Sequence, residues 1–161
     1  MLRAWDDWHD ASWDEAEAAW KARSTADLLR YGQIAELHAV HRLGAAFPDR
    51  VGRTPTAGFD VLHDGCRIEV KAKEPSVRPR AQLYVQPQLA KRHGSDRFWF
   101  YIFGHAVDDV EVWEAATRDV FANLSVRNGT AITLSRVEKI GRLIWSDGAD
   151  RRGDGVDRRG N

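Results

Sequence analysis

The chain is poor in several features that would place a protein in a familiar class. It has 161 residues and one cysteine, Cys66, which excludes a disulfide framework and a zinc site built from several thiolates. We therefore expect a reduced, cytoplasmic setting. No apolar run reaches membrane-spanning length, and no signal-like segment opens the chain. Because the histidines lack H-E-x-x-H spacing and no glycine-rich phosphate loop is present, zinc-protease and nucleotide-driven chemistry have no support.

Charge is balanced overall but unevenly distributed along the chain. The formal net charge is zero, which argues against a protein that coats nucleic acid without specificity. The segment 67–97 is basic, as a groove for a polyanion would require, although a solvated surface is the simpler interpretation for any single Lys or Arg. The side chains that we expect to contact a nucleic acid are Lys73, Arg78, Arg80, Gln82, Gln86, Lys91 and Arg92. For the two glutamines, ordinary strand packing is an equal alternative.

A hairpin in the middle of the chain is the most informative feature. Asp64-Gly65 lies between two β-favouring runs, and this dipeptide suits a type I′ turn because both central residues need positive φ. Counting outward from the turn places Asp60 opposite Glu69, with Lys71 on the same face as Glu69. Opposed carboxylates roughly 5 Å apart repel each other. The pattern therefore requires a cation, which is either Lys71 alone or a divalent metal beside it.

A helix is predicted before this hairpin. Ser24 with Asp27 predicts its start, and Gly44 predicts its end. Its inward stripe is expected to consist of Leu29, Gln33, Glu36, Val40 and Leu43. A charge on that stripe is costly unless it is paired. Glu36 is therefore either a rim carboxylate bonded to a Lys or Arg, or a third acid beside the two carboxylates of the hairpin.

The remaining elements are predicted from periodicity and capping signals. Residues 97–103 are apolar on both faces, as in a central buried strand. Further strands are expected at 46–51, 81–86 and 110–113, although 81–86 is also compatible with a lead into a helix over 87–93. Thr117 predicts the cap of a helix through 124. A capping box of Ser135 and Glu138 predicts a second helix to about 144.

The chain divides into three parts by composition. Residues 1–23 form an acidic extension rich in tryptophan, and a capping box of Ser12 and Glu15 predicts a helix to about residue 23. Its tryptophans either pack onto the domain, which we favour, or form a surface for a protein partner. Residues 24–146 form the main domain. The tail, 147–161, consists largely of Gly, Asp and Arg and is predicted to be disordered.

The pattern of Asp60 followed by Glu69-x-Lys71 resembles the PD-(D/E)xK nuclease superfamily, which includes restriction endonucleases and Holliday junction resolvases. Its signature is an Asp at one strand's end and (Asp/Glu)-x-Lys on the next strand. Phe59 stands where the namesake Pro would be, at a position that varies within the superfamily. Glu36, four residues after a glycine, looks like the first-helix acid of resolvase-like members. The likeness extends over roughly residues 28 to 103.

The resemblance implies both a fold and a function. The fold is α/β, with a restriction endonuclease-like αβββαβ core whose mixed sheet is flanked by helices. The function is Mg²⁺- or Mn²⁺-dependent hydrolysis of DNA phosphodiester bonds by an endonuclease. Asp60, Glu69, the carbonyl of Val70 and Glu36 would hold the metal, and Lys71 would orient or deprotonate the attacking water.

Several alternatives to this function remain open at the level of sequence. The first is a catalytically silent module that keeps the fold and serves nucleic-acid binding or assembly, a role that the tryptophan-rich arm would suit. The second is an RNase or a repair exonuclease of the same fold. The expected partner is duplex or branched DNA, and the resemblance also implies a homodimer, since cutting both strands commonly uses two sites.

Overall fold

The protein has an α/β architecture in which helices flank a mixed sheet. The computed structural model describes residues 5–22, 30–48, 59–74, 82–85, 94–104, 109–125 and 130–147. The described helices are α1 (Trp5–Trp8), α2 (Trp13–Ala22), α3 (Tyr31–Leu43), α4 (Thr117–Ala122) and α5 (Leu134–Ile140). The described strands are β1 (Val61–His63), β2 (Cys66–Lys73), β3 (Gln82–Tyr84), β4 (Arg97–Phe103), β5 (Val110–Ala116), β6 (Ala131–Thr133) and β7 (Arg142–Ser146). The expected fold class, α/β with a mixed sheet flanked by helices, is confirmed.

The main sheet is organised around β4. Within the described residues it has five strands in the order β1-β2-β4-β5-β7, and β3 pairs with β6 in a separate two-stranded sheet. Strands β2 and β4 run parallel, while β1–β2, β4–β5 and β5–β7 are antiparallel. Every residue of β4 after Arg97 is buried, which confirms the predicted central strand. No helix in this part of the chain is long and apolar enough to cross a membrane.

The two faces of the main sheet support separate cores. On one face, which we call the helical side, Ile68, Val70, Trp99 and Tyr101 pack with α1, α2 and α3. On the other, the small-sheet side, alternate residues of β4 such as Phe98 pack with β3, β6, α4 and α5. Because side chains alternate along a strand, β2 presents Cys66, Ile68, Val70 and Ala72 to the helical side and its charged residues to the small-sheet side.

The tryptophan-rich N-terminal segment is part of the helical-side core. Ser12 and Glu15 form the predicted capping box, with the Ser12 N–H donating to Glu15 Oε2 at 2.8 Å and the Glu15 N–H donating to Ser12 Oγ at 3.3 Å. Helix α2 ends at Ala22, as predicted. Trp8 and Trp20 are buried, and the other two tryptophans pack partly buried against the same core. Packing onto the domain is therefore confirmed for these rings.

Helix α3 ends as predicted but buries a different side. Gly44 adopts φ 73° and its N–H donates to the carbonyl of Ala39, which is the left-handed cap expected of glycine. The predicted start at Ser24 and Asp27 lies outside the described residues. The buried residues are Ile34, Ala35, Leu37, His38 and Ala39. The predicted inward stripe was wrong for Gln33 and Glu36, which are outside this set, whereas Val40 and Leu43 pack partly buried against the core. Leu29 lies outside the described residues.

Three further elements differ from their predictions near the C-terminus. Thr117 is the first residue of α4 rather than its cap, and Ala116 precedes the helix without a side-chain cap. Ser135 is not the cap of α5, because the helix starts at Leu134 and Thr133 precedes it without a side-chain cap. The helix predicted to reach residue 144 ends at Ile140, and β7 follows. The apolar spacing over 137–144 fits a helix, but pairing with β5 extends the part from Arg142 onward as a strand.

The predicted first strand, 46–51, is reduced to a bridge in the described part of this segment. Ala46 and Leu62 exchange two backbone hydrogen bonds of 2.8 Å. Residues 49–51 lie outside the described residues, as does the helix considered over 87–93. The strand predicted at 81–86 is confirmed as β3 over its described part, where it pairs with β6.

Candidate functional site

The β1–β2 hairpin has the turn that its sequence predicts. Asp64 and Gly65 have φ values of 48° and 76°, the pair of positive angles that defines a type I′ turn. This match between turn and strand twist fixes the register of the two strands. The paired residues are His63 with Cys66, Leu62 with Arg67, and Val61 with Ile68.

Asp60 is held against β2 by two hydrogen bonds at the start of the hairpin. Its N–H donates to the carbonyl of Ile68 at 2.8 Å, and its Oδ2 accepts the N–H of Val70 at 2.7 Å. The carboxylate therefore lies beside the peptide that joins Glu69 to Val70. A backbone N–H bonded to a carboxylate fixes the position of that side chain more firmly than solvent contact would.

Glu69 and Lys71 form an ion pair on the small-sheet side of β2. Lys71 Nζ donates to Glu69 Oε1 at 2.5 Å, and the side chains are only 26 % and 16 % exposed respectively. In the parallel pairing with β4, Glu69 lies beside Phe98 and Lys71 beside Phe100. These aromatic neighbours restrict solvent around the pair, which strengthens its electrostatic interactions.

The electrostatics of Asp60 reflect its burial first and its acidic neighbour second. The pKa of Asp60 is raised from 3.8 to about 6. Burial is the largest cause, and the negative charge of Glu69 adds to it, while the Val70 N–H and Lys71 act in the opposite direction. Like charges held close together in a partly dehydrated site raise the pKa in this way. A positive charge near Asp60 and Glu69 would lower this pKa again.

Glu36 is placed differently from the other predicted ligands. It is half-buried on α3 and lies outside the buried set of that helix. No three His, Cys, Asp or Glu side chains in the described part of the chain lie close enough together to hold a metal ion. The carboxylates that the structure brings to the hairpin are those of Asp60 and Glu69, and a ligand role for the carbonyl of Val70 stays a prediction. A ligand role for Glu36 stays a prediction.

Two arginines in the described part of the basic segment form ion pairs with acidic residues of the protein. Arg67 forms a two-pronged pair with Asp96, with contacts of 3.2 and 3.0 Å, and Arg97 contacts Glu114 at 2.8 Å. Lys73 is half-buried at the end of β2, and Gln82 is exposed on β3. Five of the predicted nucleic-acid contacts lie outside the described residues, namely Arg78, Arg80, Gln86, Lys91 and Arg92.

His38 is a buried polar residue that the sequence did not distinguish from the other histidines. It is 4 % exposed in the middle of the buried side of α3. Burial is the largest cause that lowers its pKa from 6.5 to about 4; Asp147 acts against the shift and Arg42 adds to it. The sequence did contain a sign of this burial, because His38 lies between Leu37 and Ala39 on an apolar side of the helix. The rings of Trp13, Tyr101 and Trp145 surround it on the helical side of the sheet.

Comparison with known proteins does not assign the chain to a family. No protein-family model matches it, and no curated protein matches it either. The contacts of Asp60, Glu69 and Lys71 are therefore the basis on which a function can be argued.

Proposed function

We propose that this protein is a divalent-metal-dependent endonuclease that hydrolyses DNA phosphodiester bonds and has a PD-(D/E)xK, restriction endonuclease-like core. The observation that carries the proposal is the joint placement of Asp60, Glu69 and Lys71 at the β1–β2 hairpin. Asp60 is tied to the Val70 N–H, and Glu69 is tied to Lys71. An ordinary solvated hairpin has no need to hold two acids and a lysine together where burial raises a carboxylate pKa.

The donor set suits Mg²⁺ or Mn²⁺. Mg²⁺ is commonly bound through one or two carboxylates, with water and substrate phosphate completing its shell. Each of the two hydrogen bonds described above uses one oxygen of its carboxylate, so Asp60, Glu69 and the carbonyl of Val70 can hold the ion. When bound, the ion supplies positive charge that stabilises the anionic transition state of phosphodiester hydrolysis. At neutral pH, above a pKa of about 6, Asp60 is ionised and able to act as a ligand.

Lys71 contributes through the position of its ammonium group. Glu69 holds Nζ on the small-sheet side of β2, where it can orient a water molecule or donate a hydrogen bond to a phosphate oxygen. A group placed in this way acts mainly on the transition state, because charge develops there and not in the bound substrate. To act as a base, Lys71 would first have to give up a proton, and its neutral amine would then accept the proton of the attacking water.

The decisive experiment combines a cleavage assay with a metal titration. Purified protein is incubated with supercoiled, linear, single-stranded and branched DNA, and with RNA, in the presence and absence of Mg²⁺ or Mn²⁺. Calorimetric titration with Mn²⁺ should show binding that Glu69→Gln weakens severely, whereas Glu74→Gln at the exposed end of the same segment should leave it unchanged. Equal Mn²⁺ binding by both variants and the wild type would contradict the metal site.

The other outcomes of the assay separate the remaining functions. Metal-dependent cleavage confined to RNA would assign an RNase activity, and release of single nucleotides from DNA ends would assign an exonuclease. Retained DNA binding with no cleavage under any metal condition would favour a catalytically silent module. Binding and cleavage that are both absent would leave the Glu69–Lys71 contact as a structural ion pair.

A further inference from the structure

Alternate side chains of β2 form a row of charges on the small-sheet side of the sheet. The apolar residues of β2 pack on the helical side, so Arg67, Glu69, Lys71 and Lys73 share the opposite side. Neighbouring members of this row are about 6.6 Å apart along the strand. The residues of β4 beside the last three members all belong to the small-sheet core. The row therefore leads directly from the proposed catalytic pair to the end of β2.

The charges at the two ends of the row are neutralised differently. At the hairpin end, the Arg67 side chain donates to both carboxylate oxygens of Asp96, at 3.2 and 3.0 Å, and its backbone N–H donates to the same group at 2.8 Å. At the other end, the Lys73 side chain has no ion pair or hydrogen bond within the described residues. The adjacent acid, Glu74, is exposed and does not pair with it. A binding charge is thus available at one end of the row only.

The surroundings of Lys73 favour an anionic ligand. Lys73 is half-buried beside Ile102, which belongs to the small-sheet core. A charge kept partly out of water without a partner is costly, and a bound anion removes that cost. Lysine is a common phosphate binder because its ammonium group is a compact charge with three donors. The phosphate backbone of a nucleic-acid strand presents such anions at regular intervals.

We propose that β2 is the track for the cleaved DNA strand, with the scissile phosphate at Glu69 and Lys71 and a neighbouring phosphate of the same strand at Lys73. This assignment rests on the proposed nuclease function and adds a direction to it. The strand extends toward the end of β2 and not toward the turn, because Asp96 already neutralises Arg67 there. Lys73 contacts the substrate equally before and during cleavage, so it contributes to binding and not to the chemical step.

A binding assay tests Lys73 without relying on cleavage. Fluorescence anisotropy of the full chain is measured with a labelled DNA duplex and with its single strand, in Ca²⁺ and over a range of salt concentrations. Lys73→Gln should weaken binding about 3- to 10-fold, as expected for one partly exposed charged contact. It should also lower the log–log salt slope by about one unit. Lys139→Gln, at an exposed lysine on α5, is the matched control and should change neither quantity.

Steady-state cleavage separates a binding role from a catalytic one. Lys73→Gln should raise KM and leave kcat unchanged, because a contact present in both the bound substrate and the transition state affects binding alone. A variant of Lys71 should instead lower kcat. This split distinguishes the two lysines although they are only two residues apart on the same strand.

Neutral methylphosphonates placed singly along the DNA locate the contact. At one position beside the mapped cut, and on one side of it only, the substitution should weaken binding by the wild type as much as Lys73→Gln does. At that position it should cause no further loss in Lys73→Gln, since both changes remove the same interaction. Equal, additive losses at every position would overturn the track.

The remaining outcomes separate the track from the nuclease function itself. Cleavage by a Lys73→Gln protein with wild-type affinity, salt slope and KM would overturn the track and leave the nuclease function standing. A lowered kcat at unchanged KM would also overturn it, because Lys73 would then act in the chemical step. Absence of cleavage by the wild type, with a salt slope reduced in Lys73→Gln, would support the phosphate contact and contradict the catalytic function. Absence of DNA binding would overturn both.

Discussion

The hairpin site and the aromatic surroundings of His38 each hold a buried titratable group, and the two groups have different neighbours. Burial raises the pKa of Asp60 to about 6 and lowers that of His38 to about 4, so both environments oppose the charged form. Asp60 has its hydrogen bond, from Val70, but faces the charge of Glu69. His38 has a carboxylate nearby but lacks a hydrogen bond at Nε2 within the described residues. The first region therefore holds two like charges close together, and the second keeps a histidine neutral.

The largest expected effect is on catalysis at the hairpin. Lys71→Ala should reduce DNA cleavage by ~10²–10⁴-fold, which is the usual contribution of a positioned proton-transfer group. Metal binding should persist, because the carboxylates and the Val70 carbonyl remain. Lys71→Arg should not restore activity, since a guanidinium stays protonated and has a different shape. Single-turnover cleavage at saturating Mg²⁺ measures the effect, with Lys139→Ala on α5 as a control.

Wild-type cleavage by Lys71→Ala would falsify the catalytic role of this lysine. The hairpin would then differ from the surroundings of His38 only in its charges, and not in having a catalytic lysine. Loss of cleavage together with loss of Mn²⁺ binding would instead assign Lys71 a positioning role through Glu69.

The pH dependence of stability should reveal the buried state of His38. Its pKa is lowered from 6.5 to about 4, so the unfolded chain binds the proton more readily within that window. Stability should therefore fall as the pH drops from about 7 toward 4, by up to ~3 kcal/mol. His38→Gln should remove this dependence. Urea unfolding from pH 4 to 8 gives the free energy of unfolding of the variant and the wild type. The same pH dependence in both would contradict a buried, neutral His38.

Asp60 should give a pH dependence of the opposite sign. Its pKa is raised from 3.8 to about 6, so the folded chain holds the proton more tightly, and stability contributed by the protonated form is lost as the pH rises through 6. Asp60→Asn should be more stable than the wild type at pH 7 to 8 by ~2 kcal/mol without metal. The advantage should shrink below pH 4. Added Mn²⁺ should reverse the ranking, because only the wild type gains stability from binding.

The smallest effect concerns the turn that positions the acids. Gly65 has φ +76°, and an L residue in this conformation costs about 1 kcal/mol or slightly more. Gly65→Ala should therefore destabilise the protein by ~1 kcal/mol and weaken Mn²⁺ binding. Gly32→Ala in α3 is the matched control, since no atom lies within 4 Å of its added Cβ. It should be neutral or stabilising by ~0.5–1 kcal/mol. Equal effects at the two glycines would remove the argument for turn strain.

The hairpin could be predicted from its own turn residues, whereas other elements depend on contacts with distant parts of the chain. Asp64 and Gly65 fix a turn type by their own conformational preferences, and that turn brings Asp60 to β2. The run of β4 is apolar at every position after its first residue, so its burial needed no knowledge of neighbours. The likeness in residue spacing could not, however, establish whether Glu36 reaches the same site.

The failures at α3 and β7 have a common physical cause. The apolar residues of each segment are compatible with more than one buried side or element type, and contacts with the rest of the fold determine which one forms. Gly141 shows this choice directly, because a Cβ there would lie 2.7 Å from the Val137 carbonyl oxygen and 3.0 Å from that of Glu114. Its close approach to β5 ends α5 and starts β7. The aromatic surroundings of His38 were equally hidden, since α2, α3, β4 and β7 must assemble before they exist.

The parallel pairing of β2 with β4 has a consequence for the order of folding. The hairpin joins residues that are close in sequence and can form within about 1–10 μs. Glu69 pairs beside Phe98, about thirty residues later, so this contact must await a longer loop closure. The two acids therefore meet while hydrated, and their repulsion grows only when β4 covers them. We expect Asp60→Asn to slow unfolding and to leave the refolding rate nearly unchanged in stopped-flow measurements without metal.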